Sequence, residues 1–361
     1  MDFTRYFPSI SNNARKDKEV QRQRQTQNGV AMLYNHIIQL VHKSISTTTL
    51  LKVSDVTVPN LTSNLACNFR NGIKCTFGHS DSERHYVETV GCNSETRLHP
   101  LARHEFLAKV KRCTWIPDPY MKYPEYFLVI SDDLYLFEEL NSTLFTRWSA
   151  NHRNENNPLT YCEWSYWNPI YIGTLFKNGE CVIWSIESES QIYGLSRTSC
   201  YKETSLIQNE RNRNWKLCFY NNNLLDCFIT HNTYYEKYFC DIRTPKYGGL
   251  RYFDSPVLDV RCSDFNSNYV AYLYPTSVGV TDIRNVEKAV YTLDNSSSHE
   301  YNTCMSWCPH DNEIAIGTSQ GTCKFWRPHD DVCHVNNNIM ISYVGKIEYH
   351  RSEKYFLCIS N

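Results

Sequence analysis

The feature that most constrains this chain is a sequence unit of about 40–45 residues that recurs through most of its length. Five segments share one order, in which an apolar run ends near Trp or a substitute and is followed by polar turn residues and two further apolar runs. The first and third runs of the five segments end at Trp115 and Phe137, Trp164 and Trp184, Phe219 and Cys240, Cys262 and Thr281, and Trp307 and Trp326. Successive third runs end 47, 56, 41 and 45 residues apart. A unit of this size holds a few short strands and cannot bury both faces of its sheet alone, so the units must stack.

Turn residues fall at matching places in two of these units. Lys177-Asn178-Gly179 interrupts IYIGTLFKNGECVIW, and Ser319-Gln320-Gly321 interrupts NEIAIGTSQGTCKFW. Glycine adopts a positive φ without steric cost, as a tight hairpin requires. A glycine, a turn and a Trp at fixed offsets indicate the four-stranded blades of a WD-type β-propeller.

Fainter units at both ends raise the number of blades. Residues 62–106 contain the strands of a first blade, and residues 338–361 contain two strands of a last one. A sheet left with two strands would expose an unpaired edge. We therefore predict that Leu50 to Val58 pairs there and closes the ring. The expected fold is all-β, a seven-bladed WD-repeat β-propeller over residues 47–361.

Residues 1–46 differ from the repeats and are predicted to form an N-terminal extension. A polar stretch from Ala14 to Thr26 is followed by apolar residues at three- and four-residue steps, a spacing typical of an amphipathic helix. The residues at these steps are Val30, Leu33, Ile37 and Val41. The cations within the polar stretch form either a solvated tail or helix face, or a nuclear-import signal. These cations are Arg15, Lys16, Lys18, Arg22 and Arg24.

Charge and cysteine placement restrict the partners and the compartment. A net charge of -1 disfavours nucleic acid and anionic membranes as direct partners. Many of the 16 cysteines lie inside apolar runs, where a reduced thiol acts as a small core hydrophobe. Examples are Cys113, Cys162, Cys181, Cys218, Cys240 and Cys323. The polar start of the chain does not resemble a signal peptide, and the longest apolar stretch is too short to span a bilayer. We therefore expect a reducing compartment, the nucleus and cytoplasm.

Three stretches resemble one particular WD-repeat family. They are WIPDPYMKYPEYFLVISDDLYLF from Trp115, LTYCEWSYWNPIYIGTLFKNGECVIW from Leu159 and the C-terminal ISYVGKIEYHRSEKYFLCIS. Over residues 62–361 the chain is similar to the group that contains cullin-4-associated factor 7 of animals and Transparent Testa Glabra 1 of plants. The chain departs from this family where Trp184-Ser185 and Trp326-Arg327 replace the Trp-Asp dipeptide. It also has a longer N-terminus and lacks the last strand.

The resemblance implies a docking element for the cullin-4 adaptor. In this family an Asp-x-Arg at the end of a third strand can serve that purpose, and the matching pairs here are Asp241 with Arg243 and Asp282 with Arg284. Asp can accept hydrogen bonds from turn amides, and the Arg fork can reach outward to a partner. The alternative interpretation is that both pairs only stabilise the turns of the blades.

Motifs of catalysis and of metal binding are weak or missing. The sequence contains no G-x-S-x-G, G-x-x-x-x-G-K-[ST], H-E-x-x-H or G-x-G-x-x-G. Cys304 and Cys308 are read as two core thiols on one face of a strand. His329, Cys333 and His334, which we place in a connection between blades, are a weak candidate for zinc because the paired C-x-x-C spacing is absent. No catalytic residue, cofactor or metal is expected.

Aromatic loop residues are the remaining candidates for binding. Tyr120, Tyr123 and Tyr126 lie in one loop, and Tyr166 and Trp167 follow the first strand of another blade. They could anchor a partner or pack over the edge of a blade. As the resemblance implies, we expect a non-enzymatic scaffold that links a kinase, a transcription regulator or a cullin-4 ubiquitin ligase to its targets, as a monomer within a larger complex. The alternative is an architectural subunit of a stable chromatin or RNA-processing complex.

Overall fold

A computed structural model of the protein describes most of the repeat region. The described residues are 35–43, 50–59, 61, 66–68, 74–81, 83–92, 98–117, 122–140, 143–150, 156–166, 168–195, 215–222, 225–232, 236–241, 247–252, 255–263, 265–295, 299–308, 311–336, 344–349 and 355–360. The chain divides into two units, residues 1–35 and 36–361. Except for Asn35, all described residues belong to the second unit.

The first three sheets follow the order of the chain. Sheet one contains β3 (Ala66–Asn68), β4 (Lys74–Asp81), β5 (Arg84–Cys92) and β6 (Leu98–Phe106). Sheet two contains β7 (Arg112–Trp115), β8 (Tyr126–Ile130), β9 (Leu134–Leu140) and β10 (Thr143–Ser149). Sheet three contains β11 (Leu159–Trp164), β12 (Tyr171–Phe176), β13 (Cys181–Ser185) and β14 (Ser190–Leu195).

The next three sheets repeat the same pattern. Sheet four contains β15 (Trp215–Asn222), β16 (Leu225–Asn232), β17 (Glu236–Asp241) and β18 (Tyr247–Tyr252). Sheet five contains β19 (Asp259–Cys262), β20 (Tyr269–Leu273), β21 (Ser277–Asp282) and β22 (Asn285–Asp294). Sheet six contains β23 (Asn302–Trp307), β24 (Ile314–Thr318), β25 (Cys323–Arg327) and β26 (Val332–Asn336).

Sheet seven combines strands from both ends of the repeat region. It contains β27 (Val344–Tyr349), β28 (Tyr355–Ser360), β1 (Asn35–Lys43) and β2 (Leu50–Pro59), in the spatial order β2-β1-β28-β27. In the described part of the chain the strands thus form seven four-stranded sheets. In sheets one to six, each strand pairs antiparallel with the next.

The predicted repeat boundaries are confirmed by the strands. All five predicted first runs coincide with the first strands of sheets two to six, and all five third runs coincide with their third strands. The first strands of neighbouring sheets contact one another from β3 to β27, and β2 of sheet seven contacts β4 and β6 of sheet one. Apolar side chains are buried between successive sheets. A strand that is buried on both faces needs apolar residues at nearly every position, and this explains the long apolar runs of the inner strands. All residues of β13 and β24 are buried, whereas the fourth strand β10 is mostly exposed.

Two glycines lie where a side chain of the neighbouring sheet approaches the backbone closely. A Cβ at Gly173 of β12 would lie 2.8 Å from a methyl carbon of Leu217 on sheet four. A Cβ at Gly317 of β24 would lie 2.6 Å from a methyl carbon of Val344 on sheet seven. A larger residue at either position would require the neighbouring side chain to shift, which accounts for glycine in the shared Ile-Gly-Thr of the two repeats. The predicted turn glycines Gly179 and Gly321 have φ values of 87° and 79°, so that prediction is confirmed.

The predicted helix at the N-terminal side of the repeats is wrong for residues 35–41. These residues belong to β1, which pairs antiparallel with β28, Ile37 facing Ser360 and His42 facing Tyr355. Short apolar runs are ambiguous by periodicity alone, and the β-branched residues of this run favour a strand. The rest of the predicted extension, residues 1–34 and 44–46, lies outside the described residues.

The segment Leu50 to Val58 was predicted to pair with the C-terminal strands. It belongs to the predicted sheet, but it pairs with a different strand of that sheet. Leu50–Pro59 joins the sheet of the C-terminal strands, but β1 lies between it and β28. The position next to β28, predicted for Leu50 to Val58, is therefore occupied by β1, part of the segment that was predicted to be a helix.

The six cysteines assigned to the core are buried thiols. Burial raises the pKa of Cys323 to about 12, so this thiol stays protonated at neutral pH. Among the described residues, no helix is long and apolar enough to cross a membrane.

Candidate functional site

A cleft of about 400 Å³ lies between sheets five and six, at the end where strands one and two, and strands three and four, are joined by turns. Phe265, Asn266 and Tyr269 of sheet five form one wall. The other wall consists of residues from sheet six, Asp311, Asn312, Arg327, His329 and Asp330. We refer to these eight residues as the five–six cleft.

The turn between β19 and β20 holds Phe265 at the surface. The Ser263 hydroxyl oxygen accepts hydrogen bonds from the backbone amides of Phe265, at 3.2 Å, and Asn266, at 2.9 Å. The Asn266 side chain accepts the Asn268 amide at 3.0 Å. Ser and Asn side chains stabilise turns in this way because they imitate backbone acceptors. The result is a fixed turn with Phe265 53% exposed.

The opposite wall is organised around Arg327. Its Nη2 lies 3.1 Å from Asp311 Oδ2, and its Nε donates to Glu313 Oε2 at 3.3 Å. Partial burial lowers the pKa of Arg327, but the carboxylates of Asp311, Glu313 and Asp330 outweigh it and leave that pKa raised. Asp311 also accepts the amide of Asn312 at 2.8 Å, which orders the turn between β23 and β24.

A row of rings connects the two walls. The rings of Tyr269 and Tyr291 lie 6.1 Å apart edge to face, and those of Tyr291 and His329 lie 6.2 Å apart in the same manner. The Tyr291 hydroxyl and His329 Nδ1 are 3.1 Å apart, within hydrogen-bonding distance. Burial and the hydrogen bond to Tyr291 raise the pKa of Tyr269, so its hydroxyl remains neutral at physiological pH. Edge-to-face rings of this kind stabilise the contact between the sheets.

The predicted Asp282–Arg284 pair lies in the turn between β21 and β22, beside the cleft. Arg284 Nε donates to Asp282 Oδ1 at 2.9 Å and Nη2 donates to Oδ2 at 2.5 Å, while the Arg284 amide donates to Oδ1 at 2.9 Å. The hydrogen bonds from Arg284 lower the pKa of Asp282. These contacts support the interpretation that the pair stabilises the turn, although the Arg284 side chain is 69% exposed. Of the other predicted pair, Asp241 is half-buried and Arg243 lies outside the described residues.

Two aromatic candidates of the predicted Tyr120–Tyr126 loop, Tyr123 and Tyr126, pack between sheets two and three, and Tyr126 is the first residue of β8 and not a loop residue. The Tyr123 hydroxyl donates to Glu187 Oε1 at 2.9 Å, across to the turn that follows β13. Tyr123 and Tyr126 both pack against the apolar cluster shared by these two sheets. The packing interpretation therefore fits both residues. Tyr166 is half-buried, and Tyr120 and Trp167 lie outside the described residues.

The candidate metal residues do not converge. Cys304 and Cys308 pack in the apolar cluster of sheets six and seven. His329 lies in the turn between β25 and β26, within one sheet, so the placement in a connection between blades was wrong. Cys333 faces Trp326 in the ladder and His334 faces Phe325. No group of three or more possible metal ligands was found in the part of the chain that the structure describes.

A second polar cluster joins the first strands of several sheets. Arg112 of sheet two donates to Glu163 of sheet three at 2.7 Å, and Arg261 of sheet five lies 3.9 Å from the same carboxylate. The Arg112 guanidinium also lies over the Tyr161 ring, 3.8 Å from its centroid. Two guanidiniums thus share one carboxylate, and these contacts join the first strands of sheets two, three and five.

Most residues of the five–six cleft were not singled out from the sequence. Phe265, Asn266, Asp311 and Asn312 come from equivalent turns of neighbouring repeats, FNSN from Phe265 and HDN from His310, which separate the first and second strands. Alignment of these turns, together with the stacking order, was the available signal. It indicates that the turns are neighbours, but not that Phe265 is exposed between them.

Comparisons with known proteins bear on the fold. No family model and no curated protein matches the chain. A solved structure described as "COPII on membranes, outer coat vertex" is similar, with a TM-score of 0.63 and 13% identity over 84% of each chain. A second, "The structure of the COPII coat assembled on membranes", has the same TM-score and identity and covers 84% of this chain and 47% of that chain. The fold is β-propeller-like. At this identity the likeness concerns the fold alone.

Proposed function

We propose that this protein is a non-enzymatic scaffold that binds other proteins. The binding surface is at the end of the sheets where turns join strand one to strand two and strand three to strand four. The observation that carries the proposal is the five–six cleft, where an exposed Phe265 lies beside charged side chains. Interfaces commonly combine an aromatic anchor with a polar rim, and this arrangement needs no reacting group. The similar COPII structures belong to assembled coats, which is compatible with an assembly role for this fold.

The finer architecture is part of the proposal. We interpret the seven sheets as the blades of a closed WD-repeat propeller, with sheet seven as the closing blade. The order of contacts between first strands and the contact of β2 with sheet one support this interpretation. Membership of the cullin-4-associated factor 7 and Transparent Testa Glabra 1 family rests on the three sequence stretches from Trp115, Leu159 and the C-terminus.

The partner class follows from that resemblance. We propose a kinase, a transcription regulator or the cullin-4 adaptor as partner, in the nucleus and cytoplasm. Fractionation of cells should recover the protein in both compartments; confinement to membranes or to secreted medium would contradict this. If the cullin-4 adaptor is a partner, Arg284→Glu should reduce its capture while the melting temperature stays nearly unchanged, because exposed ion pairs contribute little to stability.

Affinity purification with two matched phenylalanine variants tests the scaffold. Phe265 in the cleft and Phe145 on β10 are exposed to similar degrees, 53% and 44%. We expect Phe265→Ala to lose specific co-purifying proteins and Phe145→Ala to retain them, as measured by quantitative mass spectrometry. Equal recovery from the two variants and the unmodified protein would exclude the cleft as the docking site.

The alternative function is an architectural subunit of a stable chromatin or RNA-processing complex, and the similar structures, which are parts of assembled coats, are compatible with an architectural role. Size-exclusion chromatography of cell extracts separates the two proposals. A subunit would elute only in one large species of fixed composition, whereas a scaffold would be recovered in several species whose composition changes with conditions.

A further inference from the structure

The five–six cleft has more negative than positive charge. Two carboxylates, those of Asp311 and Asp330, line it against the single guanidinium of Arg327, and the buried carboxylate of Glu313 also acts on that guanidinium. The nearby Asp282–Arg284 pair is bonded to itself and adds no net charge. A concave surface with an excess of one sign attracts ligands of the opposite sign. The cleft therefore favours a cation.

The hydrogen-bonding groups of the cleft also favour a cation, because they include acceptors that suit a ligand with N–H donors. Oδ1 of Asn312 is buried and has no hydrogen-bond partner among the described residues. Its partial negative charge adds to that of the carboxylates, although the atom is closed to solvent and is not itself a contact for a ligand. Asp330, in the turn between β25 and β26, is exposed and provides further acceptors. The site offers acceptors to a ligand that brings donors.

The aromatic wall narrows the kind of cation. Phe265 and Tyr269 line the cleft together with Asp311 and Asp330, and a cation over aromatic rings is stabilised by their electron-rich faces. A guanidinium is planar, stacks on rings and carries five N–H donors, while an ammonium is compact and strongly hydrated. A volume of about 400 Å³ is within the range of side-chain and small-ligand pockets.

We propose that the five–six cleft binds a segment of a partner protein through an arginine side chain, with neighbouring apolar residues of that segment against Phe265. The inference rests on the proposed function and adds the chemistry that the partner must present. The guanidinium stacks on the aromatic residues that line the cleft and donates to the exposed carboxylate of Asp330.

Three labelled peptides test this proposal with the full chain. Acetylated and amidated Ala-Leu-Arg-Leu-Ala is compared with versions that carry citrulline or Glu at the centre, by fluorescence polarisation. Citrulline keeps the shape of arginine without its charge. We expect saturable binding of the arginine peptide only, weakening as salt rises from about 0.05 to about 0.5 M. Equal binding of the arginine and citrulline peptides would overturn the proposal.

Matched variants locate the site. Asp330→Asn removes a charge at the cleft, and Asp294→Asn removes one from an exposed position at the opposite end of β22. We expect Asp330→Asn to weaken the arginine peptide by about threefold and Phe265→Ala by about two- to fivefold. Asp294→Asn should bind like the unmodified chain. An equal loss in Asp294→Asn and Asp330→Asn would place the binding elsewhere.

The two proposals fail in distinguishable ways. If Phe265→Ala loses co-purifying proteins while no peptide binds the cleft, the scaffold stands and the arginine inference is overturned. If the arginine peptide binds through Asp330 but no protein depends on Phe265 in cells, the preference of the cleft for arginine stands, and its use by a partner protein is overturned together with the scaffold function.

Discussion

Two tryptophans at equivalent positions of sheets three and six have different surroundings. Trp184 Nε1 donates to Thr174 Oγ1 at 2.9 Å, and this hydroxyl donates to the Val182 carbonyl oxygen at 3.1 Å. Trp326 is fully buried, and within the described part of the chain its Nε1 has no hydrogen-bond partner. The same residue type in the same repeat position thus contributes a hydrogen bond in one sheet and packing alone in the other.

We predict that Trp184→Phe destabilises the protein more than Trp326→Phe does. Both substitutions remove similar volume, but only the first removes a satisfied hydrogen bond, whose contribution is about 0.5–1.5 kcal/mol. Urea unfolding at neutral pH measures both differences. Thr174→Val combined with Trp184→Phe completes a double-mutant cycle that isolates the bond. Equal destabilisation by the two phenylalanine variants would show that the indole bond contributes nothing.

At the scale of single elements, sequence reasoning succeeded where strands carry a repeated pattern. The first and third strands of five sheets were predicted because Trp, Gly and turn residues recur at fixed spacing. It failed at β1, because Ile37 and Val41 also satisfy helical spacing and their partner strand lies more than 300 residues away in the chain. The five–six cleft could not be predicted, since its shape depends on how the turns of two sheets are oriented.

An ion pair in sheet six provides a pH prediction. Glu300 Oε2 lies 2.6 Å from Lys324 Nζ of β25, with side chains 9% and 6% exposed. Burial raises the pKa of Glu300, but the hydrogen bonds from Lys324 and Thr322 outweigh it, so the pKa lies below its ordinary value of 4.5. The stabilisation is therefore complete above pH 4.5 and disappears as the pH falls through the folded-state pKa.

We expect Glu300→Gln to be less stable than the unmodified protein at pH 7, because Lys324 remains buried without its counter-charge. Its stability should also fall less steeply below pH 4.5, as followed by thermal melts between about pH 7 and pH 3. Glu105→Gln is the control, since Glu105 and Arg84 are an exposed pair 3.9 Å apart. Parallel pH profiles for the Glu300 variant and the unmodified protein would refute the pairing.

At the scale of the whole molecule, sheet seven holds the first and last described strands together. β1 lies between β2 and β28, and β2 contacts sheet one. Among the described strands, every other sheet is built from consecutive ones, so sheet seven alone of these sheets depends on pairing between distant parts of the chain. Loss of β1 would leave β28 with an unpaired edge and remove its connection to β2.

We predict that a chain starting at residue 45 loses stability and associates through the exposed edge of β28, because unpaired strand edges recruit further strands. Thermal melting and analytical ultracentrifugation measure the two effects. A synthetic peptide covering Asn35–Lys43, added in excess, should raise the melting temperature and restore the monomer, since it can occupy the vacant position as an added strand. A peptide of the same composition in scrambled order is the control. A shortened chain that melts like the full one, or equal rescue by the scrambled peptide, would show that β1 does not close the ring.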